Sequence, residues 1–166
     1  MNSKTAVVLF NLGGPSSEEE VYPFLLSLFS DPSILSLPQP FRFFLAKGIT
    51  RWRMKEAMLI YKRLGGGSPL LQNTQDQGRA LEEKLGKGYK VFVCMRHTFP
   101  RVDDILESIK DWEPQDIVLL PLFPQYSTTT TESFFKIWKE KTKNLPWPVR
   151  FISCYPELEG FTEALK

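Results

Sequence analysis

Short apolar runs and stretches of helical periodicity take turns along this chain, and that alternation leaves few folds open. Ala6 to Leu12 reads as a strand buried on both faces, as in parallel sheets. Tyr89 to Met95, Asp116 to Leu122 and Val149 to Ser153 read as three more. Between them, Val21, Phe24, Leu25, Leu28 and Phe29 recur at helical spacing, and Thr74 to Leu85, the stripe Val102, Ile105, Leu106, Ile109, and Thr131 to Lys141 read as helices. Parallel strands joined by helices wind right-handedly, so the expected class is α/β: a doubly wound parallel four-stranded sheet flanked by helices. Glu157 to Lys166 begins a further helix. With the strand before it, this reads as the start of a second similar unit, cut off before a partner strand. The expected organisation is a domain over residues 1–146, then a linker, strand and helix of a truncated second domain over residues 147–166.

Local punctuation supports these elements. Ser17 with Glu20 three residues on has the form of a capping box, and Asp31-Pro32 ends the first helix. Residues 34–53 differ from the rest. Pro38 and Pro40 break the chain, and Phe41, Phe43, Phe44 and Trp52 are interleaved with Arg42, Lys47, Arg51 and Arg53. The segment is either a helix whose aromatics pack on the core or a surface that meets a membrane or an amphiphilic ligand. Met54, Ala57, Met58 and Tyr61 form another helical stripe, closed by three glycines.

Composition excludes several classes. At 42% hydrophobic and 24% charged residues, with a net charge of +2, the chain is too apolar for disorder and shows no basic run suited to nucleic acid. Two cysteines far apart, Cys94 and Cys154, make neither a disulfide framework nor a zinc site, and one histidine adds little to either. No apolar stretch approaches the ~20 residues that span a bilayer. No signal-peptide core follows the start, so a cytoplasmic protein is expected.

Sites in open parallel sheets lie beyond the carboxyl ends of the strands. There the chain carries Leu12-Gly13-Gly14-Pro15, Met95-Arg96-His97 and Phe123-Pro124-Gln125-Tyr126-Ser127. The first is not a phosphate loop, because its glycine spacing is wrong and Pro15 lacks an N–H. Gly65-Gly66-Gly67-Ser68-Pro69-Leu70 is either a helix C-cap, for which Gly65 alone suffices, or a loop whose backbone closes on a ligand. Arg96 is either a surface arginine or a two-pronged partner for a carboxylate. His97 is either a hydrogen-bonded structural residue or a ligand. Thr128 to Thr131 offer hydroxyls that cap the next helix.

Together the opening Thr5 to Pro15, the triple-glycine stretch, Met95-Arg96-His97 and Pro124 to Ser127 resemble the ferrochelatases, which insert Fe(II) into protoporphyrin IX. The resemblance runs from Val7 to about Tyr155. It implies a chelatase-like, Rossmann-type half of an enzyme about twice this length. It implies a porphyrin site lined by Leu12, Tyr61, Ser68, Arg96, His97, Phe123 and Tyr126, with Arg96 toward a propionate. His97 departs from the family pattern, where an aromatic is more usual. Phe41, Phe43, Phe44 and Trp52 would form the lip of the porphyrin mouth and a peripheral contact with anionic membrane at the inner face of the cytoplasmic membrane. The catalytic histidine and glutamate would lie beyond Lys166, so no catalytic residue is expected here, and these residues alone would be inactive. Fe(II) is then a substrate, with no resident metal site and no organic cofactor. Thr128 stands where animal members carry a cysteine ligand of an iron–sulfur cluster, so no cluster is expected. The competing readings are a non-catalytic tetrapyrrole-binding module, a chelatase for another metal, and a plain α/β interaction domain.

Overall fold

The computed structural model describes residues 4–164 and 166. Its centre is β1 (Thr5–Asn11), all seven residues of which are buried. β2 (Tyr89–Met95) pairs with one side of β1 and β3 (Asp116–Pro121) with the other, both parallel. β4 (Val149–Phe151) adds to β3, giving one sheet in the order β2-β1-β3-β4. A strand with neighbours on both sides and helices over both faces has no wet side, which is why β1 reads as an unbroken apolar run.

Ala6, Val8 and Phe10 face α4 (Val102–Trp112) and α5 (Ser133–Thr142) in the main core, where Phe10 stacks on Phe134 at 3.9 Å between centroids. The opposite face receives α3 (Leu70–Leu85), whose Gly78 lies against Leu9, Val91 and Val93. Helices on both faces make the sheet doubly wound. A second, smaller core joins α1 (Val21–Phe29) to α2 (Phe41–Arg63) through Val21, Phe24, Leu25, Met54, Ala57, Met58 and Tyr61. These two helices form a hairpin beside the sheet.

Several boundaries differ from the sequence reading. α2 is one 23-residue helix rather than two segments. α3 starts at Leu70, four residues before Thr74, because the Ser68 hydroxyl accepts the Leu70 amide at 3.2 Å and supplies the helix start. The capping box does not close: Ser17 makes no side-chain cap bond to the short 3-10 turn Glu18–Glu20, and the Glu20 carboxylate takes the Ser16 amide instead, at 2.8 Å. A π-helical turn, Thr128–Glu132, precedes α5, and the helix expected over 157–166 is α6 (Glu159–Ala164).

β4 is the fourth strand of the expected four-stranded sheet. The strand expected to open a second unit pairs Val149 with Ile117 and Phe151 with Leu119, as the edge of this same sheet. The stretch before it is no free linker either, because Leu145 and Trp147 pack against the main core. The crossover through α5 returns the chain beside β3, and those two side chains hold it there.

Candidate functional site

The carboxyl end of β1 turns sharply, and its neighbours close around the turn through main-chain bonds. The Leu12 amide is held by the Asn11 side-chain carbonyl at 2.8 Å, and the Leu12 carbonyl accepts the His97 amide at 3.0 Å. Gly13 has φ +91°, and a Cβ there would lie 2.4 Å from the Thr98 hydroxyl, so only glycine lets β2's end come this close. From the other side, the Ser68 amide donates to the Pro15 carbonyl at 2.7 Å. A Cβ on Gly67 would lie 2.4 Å from the Ser16 carbonyl oxygen. Gly67 therefore brings backbone up against the first turn, while Gly65 and Gly66, both at positive φ, stand open as a helix cap does.

Three of the expected site segments thus meet at one end of the sheet: Leu12 to Pro15, Gly65 to Ser68, and Arg96 to Thr98. Leu12 and Ser68 are half-buried there. Phe123 follows β3 and packs edge-on against Phe10, with 6.4 Å between centroids, so part of it belongs to the core. Tyr126 lies farther along that loop with about half its surface exposed, 49%. Tyr61 sits in the hairpin core, where burial raises its phenol pKa, and its carbonyl accepts the Gly66 amide at 2.9 Å. The capping role read for Thr128 to Thr131 falls to Ser127, whose hydroxyl accepts the Thr129 amide at 3.3 Å.

Arg96 and His97 are placed differently from their expected roles. Arg96 donates from Nη2 to the Asp31 carboxylate at 2.7 Å and from Nε to Ser133 Oγ at 2.8 Å, so its Nε–Nη2 edge is engaged within the protein. His97 is 1% exposed. Its Nδ1 shares a 3.2 Å hydrogen bond with Ser27, and its Nε2 lies 3.9 Å from Asp31 Oδ2. Burial first, then the charges of Arg96 and Arg101, lower its pKa to about 4 against the opposing pull of Asp31. It is thus an internal residue bonded through one ring nitrogen. Its strand end also helps wall a cavity of about 200 Å³ with Phe24, Phe99 and Arg101.

The aromatic segment stands clear of the core. Phe41 and Phe44 are each 67% exposed and Trp52 79%, all on the side of α2 away from α1, while Phe43 lies under the Lys47 ammonium at 4.6 Å. Among the basic residues beside them, Arg42 donates to the Leu37 carbonyl and Arg53 pairs with Glu56.

Ser133 and Ser27 are site-forming residues the sequence reading does not single out, and it takes Asp31 only as a helix end. Asp31 and Ser133 are 102 positions apart, a separation no local signal spans. Among the described residues, no three His, Cys, Asp or Glu side chains converge as metal ligands, and no helix is long and apolar enough to cross a membrane. Cys94 is buried in the core with its thiol pKa pushed up, and Cys154 is exposed.

The ferrochelatase family model matches residues 4–166. A ferrochelatase from Wolbachia sp. subsp. Drosophila simulans is 47% identical over 97% of this chain and 53% of that protein. Ferrochelatases from Pelagibacter ubique and Rickettsia bellii are 45% and 42% identical, each over 97% of this chain, and over 49% and 46% of their own lengths. The chain spans about half the length of the curated relatives it matches.

Proposed function

Since the chain belongs to the ferrochelatase family, we propose that it forms the N-terminal half of an enzyme that inserts Fe(II) into protoporphyrin IX, the last step of haem synthesis. The observation that carries this reading is the convergence of the Leu12 turn, the glycine loop and the end of β2 through main-chain hydrogen bonds. A flat, largely apolar macrocycle needs walls that hold still. Backbone-to-backbone bonds give stiffer walls than side chains on mobile loops.

In this reading Leu12, Ser68, Phe123 and Tyr126 line the porphyrin pocket from the strand ends, and Tyr61 lines it from the hairpin. Phe41, Phe44 and Trp52 on α2 form the lip and meet a membrane surface. The reaction needs the ring held and distorted, its two pyrrole protons removed, and a metal delivered. This half supplies the walls and the lip. The base that takes the protons is not proposed to be His97, which is buried and, with its pKa lowered to about 4, holds a proton only weakly. A histidine and a glutamate of the other half are proposed for that role and for the metal's path. Fe(II) and the porphyrin are the substrates, without an organic cofactor or a cluster.

Spectral titration of the protein at its full natural length tests this. Protoporphyrin IX should shift and sharpen its Soret band on binding, and added Fe(II) should convert it to the iron porphyrin. Binding without conversion by Fe(II) or another divalent metal would instead favour a tetrapyrrole-binding module. No spectral change at all would reduce the chain to an interaction domain.

A further inference from the structure

Asp31 is a carboxylate with more partners than its place suggests. It follows the last turn of α1 and is 3% exposed. Its Oδ1 accepts the Ser33 amide at 2.8 Å. Its Oδ2 accepts both the Nη2 of Arg96, at 2.7 Å, and the hydroxyl of Ser133. That hydroxyl accepts in turn from the Nε of Arg96 at 2.8 Å, which closes a three-membered ring of bonds. The ring joins the end of α1, the end of β2 and the first residue of α5. Burial alone would raise the Asp31 carboxyl. Ser133, the Ser33 amide, Arg96 and His97 together outweigh it and hold the group below the ordinary carboxylate range.

A buried ion pair adds little net stability, because desolvation consumes most of the Coulombic gain. What it fixes well is geometry. The hairpin that carries the outward aromatic face has its own small core, and the ring ties that hairpin to the strand ends. The guanidinium is planar and its Nε–Nη2 edge is fully used, so turning that edge outward would strand Asp31 without its charge partner.

We propose that Asp31 is a positioning residue that locks Arg96 as a strut between the α1–α2 hairpin, the end of β2 and the start of α5, and so withholds Arg96 from the carboxylates of the bound ligand. This rests on the porphyrin reading above. It gives Arg96 a role different from the propionate partner that the resemblance implies.

The test compares protoporphyrin IX with its dimethyl ester, which has no free carboxylate, on the protein at its full natural length. Arg96→Gln should weaken both ligands by the same factor, about tenfold. Asp31→Asn should release the guanidinium and raise the preference for the free acid over the ester by about tenfold, the scale of one charge-assisted bond. It should also speed amide exchange in the last turn of α1. The double variant Asp31→Asn/Arg96→Gln, which leaves no unpaired buried charge, should return the acid-to-ester ratio to the wild-type value. If Arg96→Gln does not fold, Arg96→Lys keeps the charge but loses the fork, and should show the same equal loss. A loss confined to the free acid in the Arg96 variants would overturn the inference. So would an unchanged acid-to-ester ratio in Asp31→Asn. If the wild-type protein binds neither ligand, the functional reading itself falls and takes this inference with it, an outcome distinct from both.

Discussion

Burial and two neighbouring arginines keep the His97 imidazole neutral down to about pH 4, whereas in the unfolded chain it would take a proton near pH 6.5. Its folded pKa is therefore depressed. Between those values the unfolded state holds a proton that the folded state refuses, so stability falls as pH drops from about 6.5 to about 4. The full difference is about 3 kcal/mol. Denaturant titrations at pH 7 and pH 4.5 should show this fall, and His97→Gln should flatten it; an equal slope in both proteins would mean the histidine is not the source. Asp31 acts lower on the scale. Its depressed carboxyl contributes stability that is present above about pH 3.8 and lost as pH falls through its folded pKa. At this scale the sequence was only partly readable. The glycines point to a close approach, but the surface that Gly67 meets is the Ser16 carbonyl, 51 positions earlier in the chain and brought near only by the fold. Arg96 looked free because its partner lies 65 positions away. Pairing of that kind depends on which strand ends meet, and the topology decides it, not the local composition.

α2 shows why one element was harder to read than the rest. Ala46, Thr50, Met54, Ala57 and Tyr61 fall on the side toward α1, while Phe41, Leu45, Trp52 and Leu59 repeat at near-whole turns on the opposite side. A helix with two opposed apolar faces lacks the single stripe that marks an amphipathic helix, so the segment reads as two pieces. The strands were easier, since burial on both faces gives a run that needs no phase. The outward face has a testable use. Each exposed aromatic gains roughly 1.5–3 kcal/mol on leaving water fully, and each unpaired basic residue near an anionic surface adds about 1 kcal/mol. Arg53 already has Glu56, so the electrostatic share is smaller than four free charges would give. Phe41→Ser, Phe44→Ser and Trp52→Ser combined should abolish co-sedimentation with anionic vesicles while leaving the melting temperature within a degree or two, because these rings are exposed. Undiminished sedimentation would rule out the lip, and a large loss of thermal stability would show that the face is covered by protein. Binding should also fall with added salt.

Across the whole molecule, the sheet has two edge strands, the seven-residue β2 and the three-residue β4. β1 is paired on both sides and buried throughout, but β4 is three residues long, with Phe151 half exposed. Beside it a groove of about 390 Å³ is lined by Phe135, Trp138, Val149 and Phe151, with Lys139 and Lys143 at its rim. Unpaired strand edges and uncovered aromatic surface invite another stretch of chain. On the proposal that this chain is the N-terminal half of a longer enzyme, the other half would supply that stretch. Two outcomes follow for a protein of these 166 residues alone. Its formation of iron porphyrin should stay at background, since its one histidine is buried and, with its pKa lowered to about 4, a weak base; turnover equal to that at full natural length would refute the division of labour proposed here. Local opening should also differ across the sheet. The Ile152 amide, which donates to the Leu119 carbonyl at 3.0 Å, should exchange far faster than the amides of β1, whose opening requires loss of the whole sheet. At full natural length, with the groove covered, protection at Ile152 should rise toward that of β1. Equal protection at both strands in a dilute monomer of the 166 residues would mean that this edge needs no cover.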